Sequence, residues 1–122
     1  MKWILVADDD PAIREVWAEA LSQAGYRAVQ AKDGREALRL MPKVLPDLMI
    51  LDLRMPGLSG NEVLQEVRQR SELARIPVLI SSGFADEAHL SPGLNIVGRL
   101  QKPQALTAML DAVRTALVRR PA

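Results

Sequence analysis

Short apolar runs alternate with helix-forming segments along the whole chain. The runs at about Lys2 to Ala7, Tyr26 to Gln30, Asp47 to Leu51, Pro77 to Ser81 and Asn95 to Leu100 read as strands. Between them the spacing and the end signals predict helices. The first covers Pro11 to Ala24, with Asp10 as N-cap, Pro11 at the first helical position and Gly25 as the C′ stop. The second opens at Asp33, with Glu36 three residues on, and is expected to stop before Pro42. The third opens on a Ser59/Glu62 capping box and runs to about Arg70. A fourth has only Ala85 to Leu90 available before Ser91-Pro92-Gly93. The fifth is the clearest, with Leu106, Met109, Leu110, Val113 and Leu117 on one face.

Alternation of strand and helix implies a parallel sheet covered by helices on both faces, with right-handed crossovers. The first, third and fourth strands are nearly continuous apolar runs, as central strands of such a sheet should be. Ligands bind beyond the carboxyl ends of the strands in these folds. Four reactive features lie at those ends: Asp8-Asp9, Asp52, Ser82 and Lys102-Pro103. Side by side, they would bring three carboxylates, a hydroxyl and an ammonium to one edge.

Composition narrows the reading. A chain of 122 residues suits one domain over 1–122 with one core. A net charge of +1 argues against nucleic-acid binding through bulk electrostatics, and 3% aromatics against a base-stacking platform. With no cysteine there is neither a disulfide framework nor a thiolate metal site. No apolar stretch approaches the roughly 20 residues of a membrane span, so no membrane insertion is expected. The first residues enter a strand at once without a signal-peptide pattern, and a cytoplasmic location is expected.

Asp52 ends an apolar run, where a buried carboxylate is costly without a cation. Two unit charges about 4 Å apart repel by roughly 4 kcal/mol at an effective dielectric near 20. A cluster of Asp8, Asp9 and Asp52 therefore makes sense around a divalent cation, and hard oxygen ligands suit Mg²⁺. Calcium stays open, although no EF-hand loop is present. Zinc has only His89 to offer. A carboxylate can attack phosphorus to form an acyl phosphate, with metal and lysine offsetting the charge. Each residue alone has a plainer reading. Asp10, Asp33 and Ser59 are caps, Lys102 a solvated lysine, and Ser81 and Ser82 turn residues. The coincidence of four strand ends favours chemistry.

Those residues resemble a response-regulator receiver domain of two-component systems. The likeness rests on Val-Ala-Asp-Asp-Asp-Pro at 6–11, Pro-Asp-Leu-Met-Ile-Leu-Asp-Leu-Arg-Met-Pro-Gly at 46–57, Ile-Pro-Val-Leu-Ile-Ser-Ser-Gly at 76–83 and Lys-Pro at 102–103. It implies a flavodoxin-like (βα)5 three-layer sandwich with sheet order 2-1-3-4-5. It implies Asp52 as phosphoacceptor, and Mg²⁺ held directly by Asp9, by Asp8 mainly through water, and with Asp52 and the backbone carbonyl of Arg54 as further ligands. Ser82, five positions after Pro77, takes the switch-hydroxyl role ahead of Ser81, and Lys102 contacts the phosphoryl group. The implied partner is a histidine kinase or histidine phosphotransfer protein, and the implied state a monomer or weak dimer. Within these residues no output domain or ATP-binding region is predicted, so the expected output is a change in partner binding. The segment Ser-Gly-Phe-Ala-Asp-Glu at 82–87 is similar to receivers of hybrid sensor kinases.

The chain departs from the family pattern in places. Arg99 stands where an aromatic usually reports phosphorylation, Gln104 follows Lys102-Pro103, and the fourth helix is short. Arg54 and Phe84 flank the expected phosphoryl position and are expected to lengthen its lifetime. The Lys102-Pro103 bond is expected to be cis, as the family often has it. Two competing readings follow: a pseudo-receiver that docks partners without phosphorylation, and a hydrolase of the haloacid-dehalogenase type. The second needs a Thr or Val where Ala12 stands.

Overall fold

A computed structural model describes residues 2–82, 95–101 and 105–118. The element order is β1 Trp3–Ala7, α1 Pro11–Gln23, β2 Arg27–Ala31, α2 Gly34–Val44, β3 Leu48–Asp52, α3 Gly60–Arg68, α4 Ser71–Ala74, β4 Val78–Ser82, β5 Ile96–Gln101 and α5 Leu106–Val118. The strands form one parallel sheet in the order β2-β1-β3-β4-β5. This is the flavodoxin-like arrangement that the resemblance implied.

Strand alternation builds a core on each face. Leu5, Ala7, Met49, Leu51, Val78 and Ile80 point toward α2, α3 and α4, where Met41, Val63, Leu64 and Leu73 meet them. Ile4, Val6, Leu48, Ile50, Leu79 and Leu100 point the other way, against Trp17 and Leu21 of α1 and Met109 and Val113 of α5. All of β3 is buried, since it is central and covered on both sides. The β4–β5 register shifts between Val78 and Leu79, which pair with Ile96 and Gly98, so Val97 is the extra residue.

The helix starts follow the caps. Asp10 accepts from the Ala12 N–H, Asp33 from the Glu36 N–H, and Ser59 and Glu62 form a complete capping box. Gly25 has φ +97°, as its place after α1 requires. Two expectations are corrected. Pro42 lies inside α2, which continues to Val44. It forgoes the bond that an N–H at this position would give the Leu38 carbonyl, and the buried Ala37 and Met41 hold the segment to the sheet nonetheless. Leu45, at φ 48°, then closes the helix by donating its N–H to the Met41 carbonyl. The third helix stops at Arg68, and a separate turn, α4, carries Leu73 into the core. A four-residue helix is too short to register as periodicity.

The strands end one residue later than expected for β2, β3, β4 and β5. The expected helix at 85–90, the Pro92-Gly93 interruption, Phe84, the Lys102-Pro103 bond and Gln104 lie outside the described residues.

Candidate functional site

The loop after β1 is set by its own hydrogen bonds. The Asp8 N–H extends the ladder to the Ala31 carbonyl at 3.1 Å. Asp8 Oδ1 accepts the Asp10 N–H at 2.9 Å, turning the chain into α1. Arg14 donates from Nη1 to the Asp8 carbonyl at 2.9 Å and from Nε to Gln30 Oε1 at 3.0 Å, tying this loop to β2. Asp8 is buried and Asp9 exposed.

Asp52 is the last residue of β3 and only 3% exposed. Its Oδ1 accepts the Arg54 N–H at 3.1 Å. The following turn folds back tightly. Leu53 donates to the Ser81 carbonyl at 3.2 Å, and Gly60 to the Leu53 carbonyl at 3.0 Å. A Cβ on Gly60 would collide with the Asp52 carbonyl oxygen and stand 2.6 Å from Leu53 Cα. Only glycine lets the start of α3 lie against the end of β3, and this approach fixes where Asp52 sits.

Topology brings the carboxylates together. β1 and β3 are neighbours, and Ala7 pairs with Leu51, so Asp8 and Asp52 emerge side by side. One carboxylate oxygen from each of Asp8, Asp9 and Asp52 lies within 4.8 Å of the others. Three hard oxygen donors at that spacing, two of them on buried side chains, fit a Mg²⁺ ion and its partial water shell. Arg54 follows on the same loop, with its backbone N–H on Asp52. Ser82 ends β4 opposite Gln101 of β5, so both strands lead to the same edge. The Ser82 side chain and Lys102 lie outside the described residues. Arg99, at the position of the family's aromatic, is an exposed residue of β5.

One residue of the site was passed over in the sequence. Ser81, not Ser82, is the register partner of Asp52. It is 1% exposed, and among the described residues its Oγ has no hydrogen-bond partner. A buried hydroxyl in that condition costs about 1–3 kcal/mol. Counting strand alternation from Leu79 would have put Ser81 on the Asp52 side, once the pairing of the two strands was known.

Comparison with known proteins agrees with this geometry. Residues 4–114 match the family described as "Response regulator receiver domain". The chain is 40% identical over 119 residues to Response regulator RR06 of Streptococcus pneumoniae serotype 2, spanning 96% of this chain and 53% of that protein. It therefore spans about half the length of that relative. It is 32% identical to Sporulation initiation phosphotransferase F of Bacillus subtilis, covering 93% of this chain and 92% of that one. Among solved structures, response regulator protein TrrA from Thermotoga maritima, in complex with Mg(2+)-BeF, superposes with a TM-score of 0.82 at 31% identity, covering 95% of this chain and 99% of that one. The chain belongs to the response regulator receiver domain family. Such domains are signalling modules rather than classical enzymes. Among the described residues no helix is long and apolar enough to cross a membrane.

Proposed function

We propose that residues 1–122 form one receiver domain that accepts a phosphoryl group on Asp52 and switches partner binding. The observation that carries this reading is the convergence of Asp8, Asp9 and Asp52 at the carboxyl edge, with Asp52 buried at the end of a central strand. The likeness to TrrA, solved with Mg(2+)-BeF, supports Mg²⁺ as the ion.

An Asp52 carboxylate oxygen attacks phosphorus of a phosphohistidine. The new O–P bond forms as the P–N bond breaks, and its electron pair stays on the imidazole nitrogen. When bound, Mg²⁺ neutralises charge between carboxylate and phosphoryl group. Asp8, Asp9 and Asp52 would hold the ion, with the Arg54 carbonyl as a further ligand. The Arg54 N–H keeps the carboxylate turned toward the edge. Lys102 and Ser82 bind phosphoryl oxygens in this reading. A charge of roughly −2 at Asp52 then shifts the β4 and β5 ends and the surface that partners bind.

The donor is a histidine kinase or histidine phosphotransfer protein. An apolar groove lined by Ala12, Ile13, Val16, Trp17 and Leu106 opens between α1 and the start of α5. It adjoins the loop that carries Asp8 and Asp9, and Val16 is 51% exposed. That continuity supports this groove as the donor's seat. Val16→Glu is expected to slow transfer from phosphohistidine tenfold or more and to leave phosphorylation by acetyl phosphate unchanged. An equal loss with both donors would remove the groove from the reading.

Intact mass after incubation with acetyl phosphate tests the acceptor. Wild type should gain one phosphoryl group only with Mg²⁺, and Asp52→Asn none. A gain that survives Asp52→Asn would place the acceptor elsewhere. A partner affinity indifferent to phosphorylation would favour the docking module.

A further inference from the structure

Ser81 is a buried polar side chain that the acceptor chemistry described so far does not use. In neighbouring parallel strands, paired residues project to the same side of the sheet. Ile50 and Leu79 pair with each other and both belong to the core under α1 and α5. Two residues on, Asp52 and Ser81 pair and face the same way. Leu100 pairs with Ser81 from the other flank and is buried in that same core. Ser81 thus shares its side of the sheet with Leu79 on its own strand and with its register partners Leu100 on one flank and Asp52 on the other. Its backbone carbonyl is already engaged by the Leu53 N–H, and among the described residues its Oγ has no partner.

A serine has three staggered χ1 positions. A χ1 position that turns Oγ toward β3 brings it to the side of Asp52, its register partner. We propose that the Ser81 hydroxyl donates a hydrogen bond to the Asp52 carboxylate in the loaded site, as a second hydroxyl distinct from Ser82. This inference rests on the reading of Asp52 as the phosphoacceptor. A hydrogen bond is strongest to the fully charged carboxylate and weaker to the acyl phosphate, whose oxygen has shared its charge with phosphorus. In hydrolysis a water oxygen bonds to phosphorus and the bond from phosphorus to Asp52 breaks. The electron pair returns to the carboxylate, and the water's proton leaves with inorganic phosphate or to solvent. Charge grows on the Asp52 oxygen in that transition state, and Ser81 stabilises it. The hydroxyl therefore shortens the life of the phosphorylated form.

The test compares Ser81→Ala and Ser81→Thr with wild type, each phosphorylated with acetyl phosphate and Mg²⁺, with decay followed by intact mass. Ser81→Ala is expected to fold, because it removes a buried polar atom and adds no volume. It should lose its phosphoryl group about fivefold more slowly, the scale of one hydrogen bond. Ser81→Thr retains the hydroxyl and should decay within about twofold of wild type, with the Mg²⁺ affinity of all three alike by tryptophan fluorescence. The ¹³Cγ resonance of Asp52, read in the Mg²⁺-loaded proteins before phosphorylation, should move in Ser81→Ala and return in Ser81→Thr. Decay of Ser81→Ala at the wild-type rate, or a Thr variant as slow as the Ala variant, overturns the proposal. If wild type itself takes no phosphoryl group, the acceptor reading of Asp52 fails instead. An unmoved ¹³Cγ resonance then overturns the Ser81 bond independently.

Discussion

The two edges of the sheet both carry aspartates at strand ends, and the fold treats them in opposite ways. At the amino edge, Asp47 accepts the Trp3 N–H at 2.8 Å, and Lys2 Nζ stands 4.0 Å from its other oxygen. Arg27 lies over the Trp3 ring at 5.4 Å. Cations and anions interleave there, and the carboxylate works as a fastener between β1 and the entry to β3. At the carboxyl edge, three carboxylates crowd within 4.8 Å, two of them nearly excluded from water. The residue type is the same. Like-charge crowding is costly in itself, and a divalent cation held among the three carboxylates would offset it.

The same substitution at each edge tests this contrast most sharply. Asp52→Asn should abolish Mg²⁺-dependent phosphorylation. Asp47→Asn should leave phosphorylation and Mg²⁺ affinity at wild-type values and lower stability by no more than about 1 kcal/mol, as for a partly exposed hydrogen bond. Denaturant melts beside the mass assay measure both.

Asp8→Asn comes next. The amide oxygen still accepts the Asp10 N–H, so the turn survives while one negative charge is lost. Mg²⁺ should bind about tenfold or more weakly. The metal-free protein should melt at a higher temperature than wild type. A lower melting temperature would show that crowding at this edge is not a cost.

Gly60→Val probes how Asp52 is held. The new side chain must displace the end of β3 or the start of α3, because the Asp52 carbonyl and Leu53 Cα occupy its space. Stability should fall by about 1–3 kcal/mol. The phosphorylation rate should fall as well, whereas the matching change at the open Gly25 should leave that rate intact.

The smallest effect concerns the cap of α3. Hydrogen bonds from the Ser59 backbone and side chain hold the Glu62 carboxyl below the usual carboxylate range. A lowered folded value means that the interaction stabilises the protein above the unfolded pKa and is lost as pH falls through the folded one. Ser59→Ala should cost about 1 kcal/mol near neutral pH. Its difference from wild type should narrow below the ordinary glutamate range, in chemical melts run across pH.

Much of this molecule was legible in the chain. Apolar runs, Asp10, Asp33 and Ser59 at helix starts and Gly25 at a helix end are local signals, carried by neighbours in sequence. They placed the five strands and the starts of α1, α2 and α3 within a residue or two. Asp8, Asp9 and Asp52 could be picked out because each follows a strand, and resemblance supplied their roles. Pro42 and α4 escaped because tertiary burial of Met41 and Leu73 outweighs local preference.

The sequence alone determined where the five strands lie and where α1, α2 and α3 start, because those choices rest on local backbone sterics and on one-sided burial. Only the tertiary structure decided that Asp8 stands beside Asp52, that Gly60 clamps the turn after Asp52, and that Ser81 rather than Ser82 is the register partner of Asp52. Strand order and register depend on contacts between distant parts of the chain. A shift of one residue turns a side chain to the other face of the sheet.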